Sequence, residues 1–228
     1  MSIIDHRSAA GSHERLPDMV SELIGLKIDL FVVRGTPEIL AVQQATKTIP
    51  VVMTAVVDPV ALGVAKSLSR PGGNITGMSS RSTELEAKRV QMLKEIVPRL
   101  KHMPFLGDLR NSAVQMQWED ARLVARNFAI DAHLFDVRTA ADVARAFEGA
   151  TQLQAEAIRV GVDGVTRTNK KLIIELAAKH KLPAIYAARE FVEDGGLISY
   201  SADYADLYLR AASFVVKIFK GAKPAICR

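Results

Sequence analysis

Eight short apolar runs alternate with longer segments of helical period, and this alternation constrains the fold more than any other feature of the chain. The runs are Leu30–Val33, Val51–Val56, Ile75–Met78, Met103–Leu106, His133–Val137, Ile158–Val162, Ala184–Ala187 and Leu197–Tyr200. Most are apolar at consecutive positions and are bounded by turn residues. That is the pattern of strands covered on both faces, as in a parallel sheet. The segments between them supply the crossovers that parallel strands need. Leu16–Leu26 reads as a helix with Met19, Val20, Leu23 and Ile24 on one side. Thr83 and Glu86 predict a capping box, followed by Val90, Leu93, Ile96 and Val97 on one face and a stop at Pro98. Val114, Trp118, Ala121, Ala125 and Phe128 make a second face, with Trp118 expected in the core. Thr168 is the expected cap of a helix that turns Leu172, Ile173, Leu176 and Ala177 inward. Asp203 precedes Tyr204, Leu207, Tyr208, Ala211, Ala212, Val215, Ile218 and Phe219, with Gly221 after them and Pro224 beyond. That spacing predicts an amphipathic helix with a glycine at its C-terminus. Together these elements predict a doubly wound α/β protein.

Two parallel-sheet lobes are expected rather than one sheet. The polar segment Ser79–Ser82 leads straight from a strand into a long helix, and Gly195–Tyr200 is a glycine-started strand before the last helix. As crossings between lobes, they divide the chain into lobe one (1–78 and 201–228) and lobe two (79–200). Lobe one then shows three strands and lobe two five. A length of 228 residues suits either one large domain or two small ones.

Composition removes several classes of function. No apolar run approaches the roughly 18 residues of a membrane span, and the first seven residues lack the apolar core of a signal peptide. The single cysteine, Cys227, excludes an intramolecular disulfide and says nothing of compartment. The net charge of +5 is spread over helix surfaces without a basic run or an aromatic-interleaved stripe, so no nucleic-acid partner is expected. Lys217, Lys220, Lys223 and Arg228 form a basic tail that suits the C-terminal end of a helix dipole. His6, His13, His102, His133 and His180 fit no metal-ligand spacing, and no nucleophile elbow or dinucleotide fingerprint occurs. No metal, no cofactor and no enzymatic activity are expected.

Two strand ends carry the clearest binding signals. Leu30–Val33 runs into Arg34-Gly35-Thr36-Pro37, and Val51–Val57 runs into Asp58-Pro59. In each, a good N-cap residue, Thr36 or Asp58, precedes a proline at the expected first helical position. Both helices would open at the carboxyl edge of the sheet, where open α/β folds bind ligands. Plain caps give the same spacing. Asp163 and Glu190 follow two later strands and could bind substrate or be solvated loop acids. Arg70–Gly77 reads as a helix-to-strand turn in which Gly72 or Gly73 takes positive φ, not as a phosphate loop.

The order of these segments resembles a known family. Asp58-Pro59-Val60 through Ser67–Gly77, Gly35-Thr36-Pro37, Ile49–Val52, and Lys88-Arg89 ahead of Leu93-Lys94-Glu95 carry the resemblance in the first half. Glu175–Lys179, Leu182–Tyr186, Gly195–Tyr200 and Lys217–Ala225 carry it in the second. From about residue 15 to 225 the chain is similar to ABC-transporter substrate-binding proteins of the tryptophan/tyrosine-uptake type.

The resemblance implies a type I periplasmic-binding-protein fold, with two lobes, a hinge of crossing strands and a ligand held in the interlobe cleft. It implies a solute receptor that takes an aromatic amino acid or related small molecule and presents it to an ABC permease in the periplasm. The expected ligand contacts are Gly35, Thr36, Pro37 and Asp58 from lobe one, with Asp163 and Glu190 from lobe two. A helix N-terminus suits the carboxylate of a zwitterion, and an acidic side chain suits its ammonium. Against the family's pattern the chain reads as truncated at both ends, so that lobe one is incomplete and self-association through it is expected. Gly107-Asp108-Leu109-Arg110-Asn111 stands in place of the family's usual polar turn. Two alternatives stay open: a truncated or degenerate copy without transport function, and the ligand-sensing domain of a regulator.

Overall fold

The structure, a computed structural model, describes residues 3–226. Cys227 and the Arg228 of the basic tail lie outside the described residues. Along the chain the elements run α1 (Leu16–Gly25), β1 (Phe31–Val33), α2 (Thr36–Ala45), β2 (Val51–Val56), β3 (Ile75–Ser79), α3 (Glu86–Ile96), β4 (His102–Gly107) and α4 (Ser112–Asn127). They continue with β5 (Asp131–Asp136), α5 (Ala140–Gln152), β6 (Ile158–Val160), α6 (Gly164–Thr168), α7 (Lys170–Lys179), β7 (Ala184–Tyr186), α8 (Glu190–Glu193), β8 (Ile198–Ser199) and α9 (Tyr204–Phe219). Each of the eight apolar runs overlaps a strand. The chain divides into two compact units, one running to Arg81 and resuming at Ala202, the other Ser82–Ser201. No helix among the described residues is long and apolar enough to cross a membrane.

The first unit holds a parallel sheet of order β1-β2-β3. Every residue of the central strand β2 is buried because both faces are covered. On one face Phe31, Val33, Val51 and Met53 pack with Val20 of α1 and with Ile39 and Val42 of α2. On the other, Val52 packs with Ala211 and Phe214 of α9, alongside Leu30 and Met78. Consecutive apolar residues in β2 thus serve opposite faces, as period-2 geometry requires. Gly77 of β3 sits at φ +129°, and a Cβ there would lie 2.1 Å from the Met53 carbonyl oxygen, so close pairing with β2 demands glycine.

The second unit holds a parallel sheet of order β5-β4-β6-β7-β8. Val90 and Leu93 of α3 and Ala125 of α4 pack with Met103 and Ile185. Val114 and Ala121 of α4 pack with Phe105, and the Trp118 ring meets Phe105 edge-on at 5.6 Å. Asp203 caps α9 by accepting the Asp206 amide at 3.0 Å, and Gly221 closes it at φ +94°.

Five local expectations are corrected. Gly35, at φ +96°, is the N-cap of α2, so Thr36 and Pro37 are its first two residues. No helix of regular length follows Asp58-Pro59. One turn forms, with the Leu62 amide bonded to the Asp58 carbonyl, and Gly63 at φ +66° ends it. The run Arg70–Gly77 therefore leads from turns, not from a helix, into β3, and Gly72 takes the positive φ. Thr168 ends α6, its hydroxyl bonded back to the Gly164 carbonyl, and Asn169 is the N-cap of α7. Thr83 and Glu86 form no capping box. Ser82–Leu85 is a 3-10 turn, and the Glu86 carboxylate is engaged elsewhere.

Glu86 is completely buried, as are Arg89 and Arg159, and all three interact. Arg159 of β6 donates to the carboxylate through Nε at 2.9 Å and through its second terminal nitrogen at 2.5 Å. Arg89 pairs with the same carboxylate one turn along α3. Arg159 also reaches Gln117 Oε1 at 3.2 Å and lies over the Phe105 ring at 5.0 Å. Arg89 donates to the Ser82 carbonyl at 2.9 Å and the Tyr200 carbonyl at 2.8 Å. Removing one partner from such a network strands the remaining charge in a dry interior. Glu86→Ala should therefore destabilise the second unit by about 3–5 kcal/mol. A urea titration followed by circular dichroism checks this; an unchanged midpoint would show that water reaches the guanidinium groups.

Candidate functional site

In a parallel sheet, the carboxyl ends of the strands open onto loops and helix N-termini, and the predicted binding residues lie there. In the first unit, β1 runs into Arg34, Gly35, Thr36 and Pro37, placing the latter two on the first turn of α2. The leading amides of a helix have no partner within it and carry the positive end of its dipole. Thr36 is 2% exposed, and its Oγ1 has no hydrogen-bond partner. A buried hydroxyl without a partner is unusual and calls for an explanation. Arg34 stands over the ring of Tyr208 on α9, 5.8 Å from its centroid, and the Tyr208 hydroxyl is likewise unpartnered. Neither Arg34 nor Tyr208 was singled out as a binding residue by sequence reasoning, because their meeting depends on α9 packing over the sheet.

Asp58 lies just beyond β2, the neighbour of β1. Its Oδ1 accepts the Val60 and Ala61 amides at 3.1 and 3.0 Å. It is a turn cap, with that oxygen already engaged.

In the second unit, Asp163 and Glu190 follow the adjacent strands β6 and β7. Asp163 is 5% exposed and caps α6. Its two oxygens accept the Thr166 amide at 2.8 Å and the Asp108 amide at 3.0 Å. Burial, with the charge of Asp108 adding to it, pushes its carboxyl above the usual carboxylate range, although the amide hydrogen bonds pull the other way. Glu190 is the first residue of α8 and pairs with Arg167 of α6. The residues α6 carries thus link the two acids.

The same edge holds charged residues that sequence reasoning did not place in a site. Arg110 clasps the buried Asp108 carboxylate at 3.0 and 2.8 Å. Arg138 holds Asp136 at 2.8 Å, and Asp136 accepts the Leu109 amide at 2.9 Å. The Gly107–Asn111 turn is therefore closed by hydrogen bonds within it and to Asp136 and Asp163, ending with Asn111 as the cap of α4. At the opposite, amino-terminal edge, parallel pairing of β4 and β5 brings His102, Asp131 and His133 together. The 31-residue spacing of the two histidines concealed this, and it corrects the expectation that no histidines cluster.

A family model described as "ABC transporter substrate binding protein" matches residues 1–227. A curated relative, the "Tyrosine-binding protein" of Clostridioides difficile (strain R20291), is 25% identical over 218 residues, covering 96% of this chain and 62% of that protein. The chain thus spans under two thirds of that relative's length. The solved structure of an ABC domain in complex with L-Trp from Streptococcus pneumoniae is 28% identical with a TM-score of 0.84, covering 94% of this chain and 72% of the other. A 5-methylthioribose transporter solute-binding protein from Thermotoga lettingae, in complex with 5-methylthioribose, is 12% identical with a TM-score of 0.65. It covers 92% of this chain and 68% of that one, and at this identity it shows the fold alone. The architecture is that of the type I periplasmic-binding proteins.

The raised carboxyl of Asp163 has a definite sign in stability. A group that binds its proton more tightly in the folded state costs stability as pH rises above its unfolded value, about 4 for Asp. Asp163→Asn removes that dependence. Between about pH 4 and neutrality the stability of D163N relative to the native chain should rise. Urea midpoints measured across that range check it; a difference that stays flat with pH would show that the amide hydrogen bonds offset burial.

Proposed function

Because the chain belongs to the ABC transporter substrate-binding protein family, we propose that it is a non-enzymatic solute receptor of an ABC importer, binding an aromatic amino acid outside the cytoplasmic membrane. The relatives named for tyrosine and found with L-Trp support that ligand class. The observation that carries the reading within this chain is the buried, unpartnered Thr36 hydroxyl on the first turn of α2. A ligand carboxylate there would accept from that hydroxyl and from the leading amides of the helix. The Glu38 carboxylate lies against Gly35, 2.5 Å from where a Cβ would stand, so only glycine fits at that position, and Pro37 fixes the backbone at the start of the helix.

The ammonium group of the ligand needs an acid. Asp58 and Glu190 are the candidates, since Asp163 has both oxygens engaged by amides and serves as scaffold. The loaded receptor would deliver its ligand to an ABC permease.

Calorimetric titration with L-tryptophan and L-tyrosine tests the reading. Binding of either is expected, and Thr36→Val should weaken it by about 1.5–3 kcal/mol, the value of a hydrogen bond to a charged group. Binding of neither, with a folded chain, would overturn the ligand class. Full affinity in T36V would move the carboxylate site away from α2.

Self-association through the first unit belongs to the same reading. β1 is an edge strand among the described residues, with Val32 58% exposed, and Leu209, Val216 and Phe219 of α9 are also exposed. Unpaired edges and apolar surface favour pairing with a second copy. Sedimentation velocity should show a dimer that Val32→Lys dissociates; a monomer at all concentrations would exclude it.

A further inference from the structure

We propose that His102, Asp131 and His133 form a binding site for a divalent transition metal of the zinc class at the amino-terminal edge of the second unit's sheet. The site is separate from the carboxyl edge, where the candidate ligand residues lie. Its existence follows from strand pairing. β4 and β5 are parallel, with His102 opposite Asp131 and Pro104 opposite His133. Asp131 and His133 are two residues apart on one strand, so their side chains share a face of the sheet. His102 reaches the same place from the first position of the neighbouring strand.

The ligand atoms already converge. Asp131 Oδ2 lies 2.9 Å from His133 Nε2 and 3.8 Å from His102 Nδ1, and all three atoms fall within 4.8 Å of one another. A tetrahedral ion with bonds of about 2.0–2.2 Å holds its ligand atoms roughly 3.3 Å apart, so small side-chain rotations suffice. The two imidazole nitrogens that face the carboxylate are shielded from solvent and make no hydrogen bond of good geometry. Two such nitrogens beside one carboxylate are the donors a cation would satisfy. The rings stand 6.0 Å apart between centroids.

The backbone at the site is fixed. The Glu156 carboxylate accepts the Lys101 and His102 amides, both at 2.8 Å. The Asp131 amide donates to the Lys101 carbonyl at 2.7 Å. The Asp131 bond holds the start of β5 against the start of β4, and the Glu156 bonds fix the start of β4 to the segment before β6, so the ligands are presented by paired strands and not by a loop.

Donor chemistry selects the ion. Imidazole nitrogens favour zinc, nickel, cobalt and copper, whereas magnesium and calcium prefer oxygen donors. Three protein ligands leave one position of a tetrahedral ion for water. Because β5 is the edge of its sheet, an ion bridging β4 and β5 would also clamp that edge strand.

Calorimetric titration of the metal-free chain with zinc tests the proposal, with cobalt as a visible probe of coordination. One equivalent should bind, cobalt should show four-coordinate absorption bands, and saturating zinc should raise the melting temperature. His102→Ala and His133→Ala should each weaken binding by more than about 10-fold, the minimum typical even for an outer-shell partner. Asp131→Asn should weaken it in the same direction, and His180→Gln should leave it unchanged. Melting of each variant in chelator confirms folding. The more conservative His133→Gln stands in if His133→Ala does not fold. Absence of zinc binding would overturn the proposal, as would unchanged affinity in folded His102 and His133 variants. Loss of binding only on replacing His6 and His13 would also overturn it.

Discussion

The second unit depends on one carboxylate. Glu86 lies in a dry interior with two guanidinium groups around it, and each arginine ties it to a different part of the chain. Arg159 is on β6, in the middle of the sheet. Arg89 reaches the carbonyls of Ser82 and Tyr200, at the first and next-to-last positions of the unit. The points where the chain enters and leaves the unit are thus fastened to one residue and, through Glu86, to the central strand. An apolar trio of similar volume could fill the space, but it would not define the positions of those two backbone segments. A buried ion network gains little net stability, because desolvation offsets its attraction. We attribute its presence here to the geometry it imposes, and loss of alignment without loss of stability in an apolar replacement would be its signature.

The carboxyl edges of the two sheets differ in how far their polar groups are satisfied. In the second unit Asp108, Asp136 and Glu190 each hold an arginine, and Asp163 accepts two amides. Such pairing builds rigid turns. In the first unit Thr36 keeps an unpartnered hydroxyl and Tyr208 an unpartnered phenol, with Arg34 over the same ring. Binding free energy comes from groups whose hydrogen bonds are made only with the ligand, because groups satisfied in the free protein must first exchange partners. By that criterion the α2 N-terminus is the stronger of the candidate binding positions.

The two edges of the second sheet also separate two chemistries. Parallel strands place all carboxyl ends together and all amino ends together. Acids and arginines gather at the first edge, and the two histidines with Asp131 gather at the second. One strand, β4, spans both edges, with Asp108 just past its end and His102 at its start.

Much of the architecture was legible from local pattern. The eight apolar runs mark eight strands, because short apolar runs bounded by turn residues suit the strands of a parallel sheet. Asp203 and Gly221 delimit α9, because caps act within one turn of their own backbone. The conformations of Gly35 and Gly63 displaced the predicted caps and helix, and spacing does not reveal which glycine adopts positive φ. Glu86 shows the same limit: at capping distance from Thr83 in sequence, it is drawn instead to Arg159, 73 residues away. The acids at strand ends were visible as acids, but their arginine partners were not, and neither was the approach of Arg34 to Tyr208. His102 and His133 meet only because β4 and β5 pair in parallel and in that register. The sequence by itself determined which segments become strands and most of those that become helices, since those choices rest on local hydrogen bonding and hydrophobic period. The tertiary structure alone decided which polar groups are satisfied and which are left open, since that depends on contacts between residues far apart along the chain.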